Sequence, residues 1–233
     1  DRRSQFTPFG VFSDERYHLV DGNDRIVEGL TRELPGQITY DSRLVRVRKL
    51  SDGRIELTFR SSNRTVVNTH DVAVLAIPFT TLREVELDAN LAIPAHQLTA
   101  IQELGYGTNA KMMIGFSSRP WRTLGGNGTA YSDLTNLQTT WETNPTLGSE
   151  TRGILTDYSS GARGTGLNPT AVQAEAQRFL TDLNQIFPGT LGAATLVEGQ
   201  YLAHLEHWPS NPFMKGSYTC YRPGQFTTMA GLE

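Results

Sequence analysis

A change in the pattern of apolar residues between positions 44 and 78 constrains the fold of this chain more than any other feature. Residues 44–50 and 55–60 form two strand-like runs joined by Ser51-Asp52-Gly53-Arg54, and Asp-Gly is typical of tight hairpin turns. Residues 71–78 then form a near-continuous apolar run that ends at a proline, as in a strand covered on both faces of an α/β sheet. The pattern predicts a β-meander beside such a sheet, in a mixed α+β fold of the α/β class.

Two helices have the clearest sequence signals. The first begins at Asn23 or Asp24, ends at Pro35-Gly36, and has one apolar face, formed by Ile26, Val27, Leu30 and Leu34. The second begins at Asn168-Pro169, runs to residue 187, and has an apolar stripe formed by Val172, Ala176, Phe179, Leu180, Leu183 and Ile186. Further strands are predicted at residues 37–40, 65–70, 110–116, 137–142, 153–158 and 196–205, short helices at 80–85 and 95–104, and a loop at 119–135.

Composition argues against several classes of protein. The net charge is only −3, from 24 acidic and 21 basic residues, so no strong field is present to hold nucleic acid. A single cysteine excludes a disulfide framework and any multi-cysteine metal site within the chain. The longest uncharged apolar run, residues 72–79, is less than half of the ~20 residues that a membrane span needs. With 38% hydrophobic residues, the chain can form a substantial core.

The common local motifs of enzymes are absent or out of context. Gly164-Thr-Gly166 and Gly126-Asn-Gly128 begin like a dinucleotide-binding pattern, but neither follows a predicted strand and opens a helix. His204 and His207 are three positions apart on a predicted strand and would point to opposite faces, so we expect no metal site. Cys220 has no local partner for nucleophilic catalysis, and its sequence context predicts a small buried apolar residue.

Lys111 is the most informative single residue, because it interrupts the apolar strand predicted at residues 110–116. Such a lysine extends out to solvent, pairs with a carboxylate, or faces a cavity in which its charge has a function. The pattern alone favours a structural role over a functional one. The aromatic residues of the later segment also allow two interpretations, a ligand-stacking surface or core packing, and the pattern favours packing; they are Trp208, Phe213, Tyr218 and Tyr221.

Five segments, taken together and in order, resemble the flavin-dependent amine oxidase family, which includes monoamine and L-amino acid oxidases. The first three are Gly22-Asn-Asp-Arg-Ile-Val-Glu-Gly-Leu30, Leu44-Val-Arg-Val47 and Asp71-Val-Ala-Val-Leu-Ala-Ile-Pro78. The other two are Tyr106-Gly-Thr-Asn-Ala-Lys111-Met-Met-Ile-Gly-Phe116, followed by Trp121, and His207-Trp208-Pro-Ser-Asn-Pro-Phe213-Met-Lys-Gly216-Ser-Tyr218. No single segment is specific, but their order over nearly the whole chain carries the resemblance.

The resemblance implies roles for individual positions. In the family, a lysine at the position of Lys111 holds a water near the reactive nitrogen of the flavin and assists reoxidation by O2, where a cation stabilises developing negative charge. The tryptophan matching Trp208 packs beside the flavin ring, and the backbone at the position of Leu44 meets the adenine end. The resemblance further implies FAD as the cofactor, Trp141 as a residue that lines the substrate, and FAD-binding positions at Ala76, Pro78, Gly216 and Tyr218.

Two parts of the family's flavin site lie outside the matched segments: the N-terminal glycine-rich fingerprint and the closing Gly-Glu motif. The resemblance therefore implies a central-to-C-terminal portion of an oxidase, processed or truncated. It also implies three divisions of the chain. Residues 1–90 form part of an FAD-binding domain with the β-meander, residues 91–207 form a mixed-sheet substrate domain, and residues 208–233 return to the FAD-binding domain.

For the complete protein, the resemblance implies oxidative deamination of primary amines or L-amino acids, with hydride transfer to FAD and then reduction of O2 to H2O2. We expect a small amine or amino acid and O2 as partners, further chains of the same precursor, a homo-oligomer, no nucleic acid and no membrane span. This chain alone is expected to be inactive. The alternative is a non-catalytic, β-rich binding module or an inactive fragment that associates with itself through uncovered apolar surface.

Overall fold

The structure is a computed structural model that describes residue 19 and residues 21–143 and 151–232. The two ends of the chain, residues 1–3 and Glu233, lie outside the described residues. The first half contains α1 (Asp24–Glu33), β1 (Arg43–Lys49), β2 (Ile55–Ser61), β3 (Arg64–His70), α2 (Phe79–Leu82), β4 (Glu86–Leu87) and α3 (Ala95–Glu103). The second half contains β5 (Ala110–Phe116), α4 (Pro120–Thr123), β6 (Ala130–Tyr131), β7 (Thr139–Glu142), β8 (Gly153–Ser159), α5 (Gly161–Gly166), α6 (Val172–Ile186), α7 (Thr190–Ala193), β9 (Leu196–Val197), β10 (Gln200–Tyr201), β11 (Ala203–His207) and α8 (Gln225–Met229).

The predicted β-meander forms a four-stranded sheet with the strand order β3-β2-β1-β4. The Asp-Gly turn joins β1 to β2, and Gly53 adopts a φ of +90° while its N–H donates to the carbonyl oxygen of Leu50 at 3.0 Å. Because glycine reaches positive φ without steric cost, the turn closes tightly and sets the pairing of Lys49 with Ile55. A small core lies against this sheet, with Val47, Leu82, Val85 and Ile101 buried at its centre.

Two predicted strands in this half are wrong. Residues 37–40 and 71–78 have no strand structure, and Val72 and Val74 of the second run are 76% and 86% exposed. An apolar run becomes a buried strand only when neighbouring backbones complete its hydrogen bonds and side chains cover both of its faces. None of the strands that the structure describes pairs with residues 71–78, so the run forms no strand; only Leu75 packs against the core of the meander, and most of the other residues are exposed.

The second half is a five-stranded antiparallel sheet, ordered β11-β5-β8-β7-β6, with α6 packed on one face. Alternate residues of β5 point toward α6 and are buried; they are Ala110, Met112, Ile114 and Phe116. The predicted apolar stripe of α6 is confirmed, since Phe179, Leu180 and Leu183 lie in the same core. The predicted mixed sheet of the substrate domain is fully antiparallel, and the parallel pairing occurs instead between β1 and β4.

Several boundaries differ from the prediction for local reasons. Helix α6 begins at Val172 rather than at residue 168, because the Asn168 side chain accepts the N–H of Thr170 at 3.0 Å in a turn that precedes the helix. The single strand predicted at residues 196–205 is broken into a hairpin and β11. Glu198 and Gly199 both adopt positive φ, of +52° and +78°, which reverses the chain between β9 and β10. The predicted loop 119–135 contains α4 and β6.

The segment after β11, residues 208–232, turns back along the connection between α3 and β5. The N–H of Gly107 donates to the carbonyl oxygen of Tyr218 at 2.8 Å, and the N–H of Cys220 donates to that of Gly105 at 2.8 Å. A Cβ at position 105 would lie 2.2 Å from the Cys220 carbonyl oxygen, so only glycine permits this approach. The prediction of a buried Cys220 is wrong, because its backbone pairs here while its side chain is exposed.

Among the described residues, no helix combines the length and the apolar character that crossing a membrane requires.

Candidate functional site

The face of the five-stranded sheet opposite α6 carries a cation beside two aromatic rings. Lys111 of β5 is paired with Tyr158 of β8, and Trp141 of β7 is paired with Thr156, so the two aromatic residues are diagonal neighbours. Their ring centroids are 5.7 Å apart. The Lys111 Nζ lies 5.8 Å from the Trp141 centroid and 5.9 Å from the Tyr158 centroid, within cation–π range of both.

Lys111 is half-buried and has no acidic partner among the described residues. In the part of the chain that the structure describes, no carboxylate lies within ion-pair distance of its Nζ. Glu206 of β11 is directly across the strand pair from Lys111, but its carboxylate lies 3.6 Å from His204 Nε2 and accepts the Asn211 amide at 3.3 Å. The geometry therefore removes the ion-pair interpretation of Lys111. It leaves a positive charge on an aromatic surface, uncompensated by the described residues.

Tyr158 connects this surface to the returning segment. Its hydroxyl and that of Tyr218 are hydrogen-bonded at 2.8 Å, and Tyr218 is 57% exposed beyond that contact. Burial, followed by the hydrogen bond to Tyr218, raises the pKa of the Tyr158 phenol, which is therefore neutral at ordinary pH. Sequence reasoning missed Tyr158. The available signal was its register opposite Lys111, which cannot be known before β5 and β8 are paired.

A second group of predicted residues is brought together next to this surface. The N–H of Gly216 donates to the Trp208 carbonyl oxygen at 3.2 Å, and a Cβ at Gly216 would lie 2.8 Å from Cβ of Tyr106. The Tyr106 hydroxyl accepts the N–H of Phe79 at 3.0 Å, immediately after Pro78. Pro78, Gly216 and the half-buried Trp208 are thus linked through Tyr106, which was not among the predicted site residues.

The two other predicted positions lie elsewhere. Leu44 is partly buried and packs against the core of the meander, rather than on the surface around Lys111. Ala76 is exposed within residues 71–78, which form no strand. The histidine pair is not a metal site: His207 is buried and bonded to Ser210 and to the Gly164 carbonyl oxygen, whereas His204 is exposed. Among the described residues, no group of three potential metal ligands occurs.

Comparison with known proteins identifies the family. The model of the family described as "Flavin containing amine oxidoreductase" matches residues 2–231. The chain belongs to this family. A protein from Bacillus subtilis (strain 168), named "Putative L-amino-acid oxidase YobN", is 25% identical over 216 residues, which are 90% of this chain and 43% of that protein. The chain therefore spans less than half the length of this curated relative.

Solved structures of two oxidases share the fold. Wild-type putrescine oxidase bound to putrescine matches with a TM-score of 0.70 at 16% identity, over 90% of this chain and 44% of that one. Cyclohexylamine oxidase from Brevibacterium oxydans IH-35A matches with a TM-score of 0.65 at 16% identity, over 90% and 43%. These matches confirm the mixed α+β fold class, and the family model confirms the predicted family. Membership of the family implies a flavin cofactor.

The described residues fit one side of a flavin site. Lys111 is a cation without a carboxylate among them, so it suits an electron-rich ring or an anion. Trp208 is half-buried and Tyr218 is more than half exposed, so both can offer ring faces to a planar ligand. Gly216 lets the backbone approach closely behind them, because a side chain there would collide with Tyr106.

Proposed function

We propose that the protein containing this chain is an FAD-dependent oxidase of primary amines or L-amino acids. The observation that carries the proposal is the Lys111 cation, held over Trp141 and Tyr158 without a carboxylate among the described residues. Bound FAD would supply the redox chemistry, as a hydride acceptor for the α-carbon of the amine and an electron donor to O2, with an imine and H2O2 as the products. The residues of this chain bind and orient the reactants and shield them from water.

Lys111 has the most direct role in this proposal. Its ammonium group holds a water by hydrogen bonding and places a positive charge where O2 gains negative charge, which lowers the barrier to electron transfer. Because no acidic side chain among the described residues neutralises it, the full charge is available. Trp141 forms an aromatic wall of the substrate site and excludes water, which suits an amine that reacts in its neutral form.

The FAD-binding positions proposed from the family are Leu44, Ala76, Pro78, Trp208, Gly216 and Tyr218. Three of these positions, Pro78, Gly216 and Trp208, are linked through contacts with Tyr106. These contacts support a shared site for the three. Residues 1–90 and 208–233 would then belong to the FAD-binding domain and residues 91–207 to the substrate domain. The ion pair of Lys215 with Glu84, and the hydrogen bond that the Thr80 hydroxyl donates to the Met214 carbonyl oxygen, support this return of the chain. A homo-oligomer and further chains of the same precursor remain predictions.

The test uses the full-length protein. We expect the purified protein to be yellow, with flavin absorbance near ~450 nm, and to release H2O2 when given an amine. Putrescine, cyclohexylamine and L-leucine serve as probes, since relatives are named for amines and for L-amino acids. A colourless protein that gains no absorbance with added FAD, and that produces no peroxide with any probe, would overturn the proposal in favour of a non-catalytic binding module.

The isolated 233-residue chain is the matching control. We propose that it is inactive by itself, because it presents only one side of a flavin site. The chain should therefore neither retain FAD through gel filtration nor produce peroxide with the three probes. Retention of FAD by the isolated chain would show instead that this half is sufficient for binding.

A further inference from the structure

Tyr158 has a central place in the contacts around Lys111. Its ring lies 5.9 Å from the Lys111 Nζ and 5.7 Å from the ring of Trp141, and its hydroxyl is bonded to that of Tyr218 at 2.8 Å. These three neighbours lie on β5, on β7 and on the returning segment, and Tyr218 is 60 positions away along the chain. One side chain therefore touches three separately positioned parts of the site.

The ring and the hydroxyl group of Tyr158 make different contacts. A lysine side chain has four flexible methylene groups. Because Lys111 has no carboxylate partner among the described residues, its position depends on what else attracts the ammonium group, here the faces of two aromatic rings. The Tyr158 hydroxyl takes no part in that contact. It is instead the hydrogen-bond partner of Tyr218, whose ring is otherwise largely exposed.

We propose that Tyr158 is a positioning residue that sets the place of two other groups independently: its ring holds the Lys111 ammonium, and its hydroxyl holds the Tyr218 side chain. The inference rests on the proposed function, since it assigns Lys111 to the reaction with O2 and Tyr218 to the flavin and substrate side. It predicts that loss of the ring slows reoxidation of the flavin. Loss of the hydroxyl should instead raise the KM for the amine.

The ring is tested in the full-length protein by Tyr158→Leu and Tyr158→Met, with Tyr158→Phe as the variant that keeps the ring. The flavin is reduced with dithionite and mixed with air-saturated buffer, so no amine is needed. Reoxidation should slow about fivefold in the Leu and Met variants and remain unchanged in the Phe variant. Two ringless variants are used because one of them can fail to fold. Reoxidation at the normal rate in either folded ringless variant would overturn the role of the ring.

The hydroxyl is tested by Tyr158→Phe, Tyr218→Phe and the double variant. Each single change removes the same hydrogen bond, so each should raise the KM for the probe amine about fivefold, with little change in reoxidation. The double variant should be no worse than the more affected single variant, because the bond can be lost only once. A normal KM in Tyr158→Phe, or effects that multiply in the double variant, would overturn the role of the hydroxyl.

Tyr131→Phe is the matched control. This tyrosine lies on β6 at the edge of the same sheet, is 81% exposed, and is given no part in the site. Its reoxidation rate and KM should equal those of the unaltered protein. If the unaltered protein has neither flavin nor amine oxidation, the proposed function has failed; if it has both and the Tyr158 variants behave like Tyr131→Phe, only the present inference has failed.

Discussion

Lys111 shows how a residue that looks structural in the sequence becomes a candidate for chemistry. A lysine in an apolar strand is usually compensated by a carboxylate or extends to solvent. Here the residue directly opposite, Glu206, is engaged by His204 and Asn211, and the ammonium group lies over two aromatic rings instead. The position of one carboxylate thus removes the ion-pair interpretation of Lys111.

The first prediction at this scale concerns the charge of Lys111. Lys111→Met keeps the length of the side chain but removes the cation, so reoxidation of the flavin by O2 should slow by at least ~100-fold while reduction by the amine changes less. Anaerobic and aerobic stopped-flow traces measure the two steps separately. Lys49→Met is the control, since Lys49 is an exposed lysine on β1. Unchanged reoxidation in Lys111→Met would exclude the proposed role.

The second prediction concerns the buried Asp157, which accepts the Ser159 hydroxyl at 2.7 Å and lies 3.4 Å from Arg163. Burial raises the pKa of this carboxyl, and the bonds to Gln138, Ser159 and Arg163 only partly oppose the effect. The folded state therefore binds a proton more tightly than the unfolded state does. The protonated Asp157 carboxyl favours folding and its ionisation opposes folding. The contribution of Asp157 to stability therefore falls as the pH rises above the usual aspartate range.

Relative to Asp157→Asn, the unaltered protein should accordingly lose stability, measured by urea unfolding, as the pH rises above the usual aspartate range. The control is Asp52→Asn, at an exposed carboxyl whose pKa is lowered by hydrogen bonds from the backbone and side chain of Arg54. The sign reverses there, because a depressed folded-state pKa contributes stability above the unfolded value and loses it as the pH falls. The same pH trend in both comparisons would contradict the assignment for Asp157.

At the scale of elements, α6 and β5 form because their patterns agree with the way they pack. The 3.6-residue period of α6 places Ala176, Phe179, Leu180 and Leu183 on one face, and the two-residue period of β5 buries alternate residues against it. The other residues of β5, which include Lys111, are thereby directed to the opposite face. The packing of the core thus determines which side of the sheet carries the site.

This packing predicts the effect of shortening a core leucine. Leu180→Ala removes a fully buried side chain and should lower the free energy of unfolding by about 3 kcal/mol, from lost burial and the cavity that remains. Leu191→Ala, on α7 with a 40% exposed side chain, is the matched control and should change it by less than ~1 kcal/mol. Urea unfolding followed by circular dichroism gives both values. Equal losses would mean that α6 does not form the core described here.

At the scale of the whole molecule, the described residues form two cores with large apolar surfaces left uncovered. The predicted helix α1 is present, but its apolar face is exposed, with Ile26, Val27 and Leu30 between 53% and 66% accessible. Val72 and Val74 of the run 71–78 are exposed as well. Apolar surface of this kind marks a site of contact with other protein, and the chain spans less than half the length of the oxidases that it matches.

The isolated chain should therefore associate with itself. In sedimentation velocity, its mean sedimentation coefficient should rise with concentration, and Val27→Glu should reduce that rise by placing a charge in the exposed apolar face of α1. Val197→Glu is the control, because Val197 is 54% exposed on the separate β9–β10 hairpin. A monomer at all concentrations, or an equal effect of both substitutions, would contradict an apolar contact through α1.

The sequence by itself determined the elements whose signals are local. The Asp-Gly hairpin, the stripe of α6 and the alternation of β5 depend on turn geometry and side-chain periodicity, which neighbouring residues specify. The ordered family segments likewise identified the family. Only the tertiary structure decided that residues 71–78 are not a strand, because pairing needs another backbone, and that Lys111 meets Trp141 and Tyr158. Those contacts depend on the register of three strands distant in sequence, which no local pattern contains.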